Sequence, residues 1–168
     1  MIVNGKSLLH ANPIKGMSSG KNRYLGVSDG LAEAGYDIRL AQDVTFINDA
    51  YGARTEVIDD EGNQETFAGH FVLASAIEEF QMPNNLVGEV KDKSTWARQG
   101  LSVFNTVIEP GWYGFLTLEL VYHGFSGLKI QAGQGIAQVL FKLLTDDAKY
   151  SGKYQHQEAG PIAARFET

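Results

Sequence analysis

Phe115-Leu116-Thr117-Leu118-Glu119-Leu120-Val121-Tyr122 decides how the rest of the chain is read. In an extended strand successive side chains point to opposite faces, so Leu116, Leu118 and Leu120 share one face while Thr117 and Glu119 share the other. Short apolar runs of the same kind recur at Tyr36 to Leu40, Val44 to Ile47, Phe71 to Ser75, Leu86 to Val90, Leu101 to Ile108, Leu128 to Gln131 and Ile136 to Leu143. Turn-forming clusters separate many of them: Asn48 to Gly52, Asp60 to Asn63, Pro83 to Asn85, Pro110-Gly111 and Ala132 to Gly135. Many short strands at this spacing predict an all-β domain closed as a barrel or jelly roll. Helix is expected only in short pieces, near Gly5 to His10 and at Ser94 to Arg98.

At 168 residues, 43% hydrophobic and 20% charged, the chain has the size and composition of one globular domain with a single core. Met1 to Lys15 holds no apolar signal core, and no run approaches the roughly 18–20 apolar residues of a membrane span. A cytoplasmic setting is therefore expected, whether of a cell or of a virus's host. There are no cysteines, which removes disulfides, thiolate metal ligands and a thiol nucleophile. His10, His70, His123 and His156 are far apart and form no ligand-spaced pair, so no protein-borne metal site is expected. The net charge is -6 and the basic residues are scattered, which argues against a nucleic-acid polymer as partner. A free nucleotide is compatible with that charge, because a few converging cations and backbone N–H groups suffice to hold a phosphate.

Three groups of residues could carry chemistry. The carboxylate of Glu119 points away from the leucine face, although the pattern alone fits a solvated strand glutamate more often than a base. Ser94 and Arg98 are spaced i, i+4, so one helical turn would place a hydroxyl and a guanidinium on the same side. An N-cap serine with a surface arginine fits the same spacing, and Lys93 is equally ambiguous. Glu109-Pro110-Gly111-Trp112-Tyr113-Gly114 is a tight turn with an acid three residues before a large aromatic. That pair suits a sugar, whose apolar face stacks while a hydroxyl donates to the acid; a hairpin with a packed tryptophan is the competing reading.

The order of these motifs resembles a known family. Ala34 to Leu40, Leu86 to Val90, Lys93-Ser94-Thr95-Trp96-Ala97-Arg98-Gln99-Gly100-Leu101, Ile108 to Gly114, Leu116 to Leu120 and Gly135-Ile136-Ala137-Gln138 are together similar to the dCTP deaminases and, through them, to the trimeric dUTPases. The likeness covers about residues 34 to 165. The polar run after Leu144 reads by itself as a mobile tail. It lacks the Gly-Ser-Thr-Gly motif with which a dUTPase would be expected to end, and Tyr150-Ser151-Gly152-Lys153-Tyr154-Gln155-His156-Gln157 is similar instead to the closing segment of the deaminases.

The resemblance implies a homotrimer of distorted jelly-roll subunits of the dUTPase-like, β-clip type, with residues 1–144 forming the barrel and 145–168 a lid. It implies active sites at subunit interfaces and Mg2+ carried on the triphosphate, without zinc. Glu119 would be the general base and acid. Ser94 would hold the attacking water together with a backbone carbonyl near Asn105 or Thr106, and Arg98 would position Glu119 and the substrate. Lys93 falls at a basic, phosphate-contacting position, Thr95, Asn105, Thr106, Glu109, Trp112 and Gln138 fall at substrate-binding positions, and Tyr150, Lys153 and Gln157 would enclose the triphosphate and base. The activity implied is deamination of dCTP to dUTP and ammonia, with dUTP and dTTP as further ligands. Three other readings share the scaffold: a bifunctional enzyme that continues to dUMP and pyrophosphate, a plain dUTPase, and a nucleotide-binding regulator. Two features depart from the family pattern: the loop from Phe104 to Ile108 is short, and Glu109 stands where aspartate is usual.

Overall fold

A computed structural model describes residues 1–166 of the chain. The first half contains β1 (Ile2–Val3), α1 (Gly5–Ala11), β2 (Lys21–Tyr24), β3 (Val27–Leu31), β4 (Tyr36–Arg39), β5 (Asp43–Asp49), β6 (Gly52–Ile58), β7 (Gln64–Ala68) and β8 (Phe71–Gln81). The second half contains β9 (Leu86–Asp92), α2 (Ser94–Ala97), β10 (Leu101–Val103), β11 (Val107–Ile108), β12 (Tyr113–Tyr122), β13 (Leu128–Ile130) and β14 (Gly135–Leu143).

The strands form three antiparallel sheets ordered β11-β9-β14-β4-β3-β2, β10-β12-β8 and β13-β5-β6-β7, with β1 also paired to β14. Their apolar faces meet in one core that includes Ile38, Leu40, Phe46, Ala74, Phe80, Leu118, Leu120, Ile130, Val139 and Phe141. This is the expected all-β barrel. No helix among the described residues is long and apolar enough to cross a membrane.

The structure corrects the expected elements in three places. Leu101 to Ile108 is not one strand: β10 pairs with β12 in one sheet, while β11 pairs with β9 in another, and residues 104–106 make the crossing. Leu116 does not join Leu118 and Leu120 in the core, because the register of β12 against β8 shifts between Phe115 and Thr117 and breaks the alternation there. Two hairpins, β2–β3 and β6–β7, go beyond the strands expected from the pattern. Every residue of β2 and of β7 is exposed, so neither strand carries the alternation by which a half-buried strand is recognised.

Candidate active site

The long central strand β12 delivers Glu119 to a cavity of about 480 Å³. The same face carries Thr117, and the paired residue on β8 is Leu73, which also lines the cavity. One wall is Asn105 and Thr106 of the crossing with β11 behind them, and another is the turn from Glu109 to Trp112. Tyr150, Tyr154, Gln157, Ile162 and Ala164 of the tail form the rest. No Lys or Arg is among the lining residues, and both carboxylates there, Glu109 and Glu119, belong to the barrel.

Among the described residues the Glu119 carboxylate has neither a hydrogen-bonded side chain nor an ion-pair partner. Partial burial alone raises its pKa above the usual carboxylate range. A carboxyl group so placed can take up a proton and give it back near neutral pH more readily than a solvated one. Its backbone is held on both sides, since Phe104 N–H donates to the Glu119 carbonyl at 2.9 Å and Glu119 N–H donates to Asn105 Oδ1 at 3.1 Å.

The turn before β12 is not a hairpin, because it leads from β11 in one sheet to β12 in another, but its tryptophan is packed. Trp112 is buried, lies beside Phe80 with ring centroids 6.1 Å apart, and donates its indole N–H to the Tyr154 carbonyl at 2.7 Å. Its role here is to join the barrel to the tail, and it borders the cavity from within the core. Glu109 stays exposed at the cavity rim.

The tail is tied to its own barrel. Tyr150 N–H donates to the Pro110 carbonyl, His156 N–H to the Tyr113 carbonyl and Phe115 N–H to the Gln157 carbonyl, at 2.8, 2.9 and 3.0 Å. The buried Gln157 amide donates to the Phe115 carbonyl at 2.9 Å and to the Thr117 hydroxyl at 2.6 Å. The contact requires Gly114: its φ is 140°, and a Cβ there would lie 2.5 Å from the Gln157 carbonyl oxygen. Lys153 is exposed, does not line the cavity, and sits over the Tyr154 ring at 5.4 Å.

The second motif lies elsewhere. Ser94 begins α2 and Arg98 caps its end, both exposed, as is Thr95, and none of the three lines the cavity of its own chain. Lys93, expected at phosphate, is instead buried: its ammonium bonds Asp37 of β4 and donates to the Ser28 hydroxyl at 3.0 Å. Gln138 donates to the other oxygen of Asp37 at 3.1 Å. A buried carboxylate attracts the nearest cation strongly, so within this chain Lys93 and Gln138 serve to fix the start of α2 against β3, β4 and β14.

One cavity thus gathers Glu119, Asn105, Thr106, Glu109, Trp112, Tyr150 and Gln157, whereas Lys93, Ser94, Thr95, Arg98, Gln138 and Lys153 lie outside it. Sequence reasoning passed over Thr117 and Tyr154. For Thr117 the signal was present, because it shares the strand face of Glu119; for Tyr154 it was the spacing of four from Tyr150.

Solved structures with this architecture include two of different activity by name. The 2'-deoxycytidine 5'-triphosphate deaminase from Agrobacterium tumefaciens superposes with a TM-score of 0.56 at 18% identity, covering 84% of this chain and 47% of that one. The EIAV dUTPase superposes with a TM-score of 0.51 at 19% identity, covering 85% of this chain and 92% of that one. The fold is accordingly that of the dUTPase-like proteins. In sequence, the pattern described as dCTP deaminase-like matches residues 17–144. Relatives include the dCTP deaminases of Nitratiruptor sp., 37% identical over 148 residues with 78% of each chain covered, and of Campylobacter jejuni, 38% identical over 145 residues with the same coverage. The chain belongs to the dCTP deaminase-like family.

Proposed function

We infer that this protein is an enzyme that deaminates dCTP to dUTP and ammonia. The observation that carries the reading is Glu119: in a chain of this family, a carboxylate with no partner of its own faces a nucleotide-sized cavity and is raised in pKa by burial. Glu119 takes a proton from water as the oxygen adds to C4 of cytosine and returns it to N3; the proton of the new C4 hydroxyl then passes through Glu119 to the amino group, the C4–N bond breaks, ammonia leaves and C4 becomes a carbonyl. Zinc-dependent base deaminases use a Cys- and His-bound metal to make hydroxide. This chain has no cysteine to build such a site, so the carboxylate carries the proton transfer.

Ser94 and Arg98 complete the site from a second copy. Both are exposed and lie outside the cavity of their own chain, which supports the homotrimer with shared active sites. In that assembly Ser94 holds the water together with a carbonyl of the 104–106 crossing, and Arg98 orients Glu119. The triphosphate enters with Mg2+ as part of the substrate; the ion offsets negative charge in a cavity that, among the described residues, two carboxylates and no cation line. Residues 145–168 act as the lid, with Tyr150 and Gln157 already at the cavity and Lys153 exposed over the ring of Tyr154, which lines it; Glu167 and Thr168 lie outside the described residues. Incubation with dCTP and Mg2+, assaying ammonia and pyrophosphate together, tests the reading. Ammonia without pyrophosphate is expected; no ammonia from dCTP would remove it.

A further inference from the structure

Glu119 is held in place by a side chain acting as backbone. The pairing of β10 with β12 ends at Val103 opposite Leu120, and one residue further Phe104 N–H still donates to the Glu119 carbonyl. Paired residues of an antiparallel ladder exchange both bonds, so a continuing strand would take the Glu119 N–H on the Phe104 carbonyl. That N–H goes to Asn105 Oδ1 at 3.1 Å instead, and Asn105 Nδ2 donates to the Thr117 carbonyl at 2.6 Å. A carboxamide offers the same donor and acceptor as a peptide group. The Asn105 side chain therefore continues the ladder while its backbone turns away toward β11.

We propose that Asn105 is a positioning residue of the deamination, an inference that rests on the reaction assigned above. Its clip does two things at once. It fixes the backbone from Thr117 to Glu119, and it releases the main chain at Phe104 so that residues 105 and 106 become cavity wall. The same segment is held from the opposite side by the tail, because the Thr117 hydroxyl accepts from Gln157 Nε2 at 2.6 Å and from Ile162 N–H at 3.0 Å. Loop and tail thus meet on one three-residue stretch that ends in the base. Both polar atoms of the Asn105 side chain are occupied by backbone, which separates this role from the substrate contact expected for it from sequence.

The test compares wild type with Asn105→Leu, which has similar bulk and no hydrogen bonds, and with Asn105→Asp, which keeps the acceptor for Glu119 N–H and loses the donor to Thr117. In Asn105→Leu kcat should fall roughly ten- to a hundredfold, the scale of a small misplacement in an active site, with KM for dCTP nearly unchanged. Hydrogen exchange at the Glu119 amide should quicken about tenfold or more in Asn105→Leu, stay slow in Asn105→Asp, and not change at Phe141 in the core. Unchanged kcat in both variants, a loss confined to KM, or unaltered exchange at Glu119 would overturn the proposal. A wild type that releases no ammonia removes the deaminase reading instead, and exchange at Glu119 then still decides whether the clip exists.

Discussion

The β12 region and the α2 region carry the two strongest motifs of this chain, and they treat their charges in opposite ways. Around β12, Glu119 is partly buried with no counter-ion among the described residues, while amides from Asn105 and Gln157 hold the backbone beneath it. Around α2, Lys93 is buried with its counter-ion, Asp37, while Ser94 and Arg98 stand exposed. An unpaired buried carboxylate costs stability and gains reactivity; a paired one does the reverse. The difference teaches that the Glu119 carboxylate is set within the cavity of one chain, whereas the hydroxyl and guanidinium are presented outward on a rigid mount, as the proposed sharing of sites between copies requires.

The largest effect that tests this contrast is on turnover. Glu119→Gln should reduce ammonia release by about 10²–10⁴-fold, the usual worth of a general base, with dCTP binding retained in a calorimetric titration. Lost binding with the same fall would make Glu119 a substrate anchor.

Lys93→Met comes next and probes the other region. It leaves the Asp37 carboxylate buried without its cation, so unfolding in denaturant should show a loss of roughly 3–5 kcal/mol. Unchanged stability with a raised KM would return Lys93 to the phosphate-binding role read from sequence.

Gly114→Ala is a smaller perturbation, aimed at the tail. At φ 140°, with a Cβ 2.5 Å from the Gln157 carbonyl, the substitution stores about 1–3 kcal/mol of strain unless the tail lets go. Faster proteolytic cleavage near Lys153 and a lower kcat/KM are expected; an intact, slowly cut tail would show that the contact is dispensable.

The smallest effect is on stability against pH. Burial raises the Glu119 pKa in the folded state, so the folded chain holds that proton more tightly than the unfolded one. The stability this contributes is fully present below the unfolded pKa and is lost as pH rises through the folded value. Glu119→Gln should therefore melt slightly above wild type at neutral pH, with the gap closing in acid. A gap that widens in acid would mean a depressed pKa and a partner for the carboxylate.

Much of this was legible in the sequence where alternation and burial coincide. The strands that bury one face, such as β5, β9, β12 and β14, stand close to where the pattern put them, and α1 and α2 lie where short helix was expected. The β2–β3 hairpin escaped because its turn uses Leu25 at φ 45° before Gly26, without the Asn or Asp that marks such turns. In the site, Glu119 was visible from its strand face and its motif, but the fate of Lys93 was not. Its counter-ion lies 56 residues away, and only the tertiary fold brings β4 under α2. Asn105 was named as a substrate contact, but its clip was not legible for a related reason: a side chain that replaces a backbone partner has no signature in spacing or composition.

The proposed site requires Glu119 of one copy to meet Arg98 of another, and complementation between two inactive variants measures that meeting directly. Glu119→Gln and Arg98→Ala should each be nearly inactive alone. Co-expressed in equal amounts and purified as mixed trimers, they should recover ammonia release, because about one site in three then draws an intact Glu119 and an intact Arg98 from different chains. No recovery in oligomers shown by mass to be mixed would contradict it.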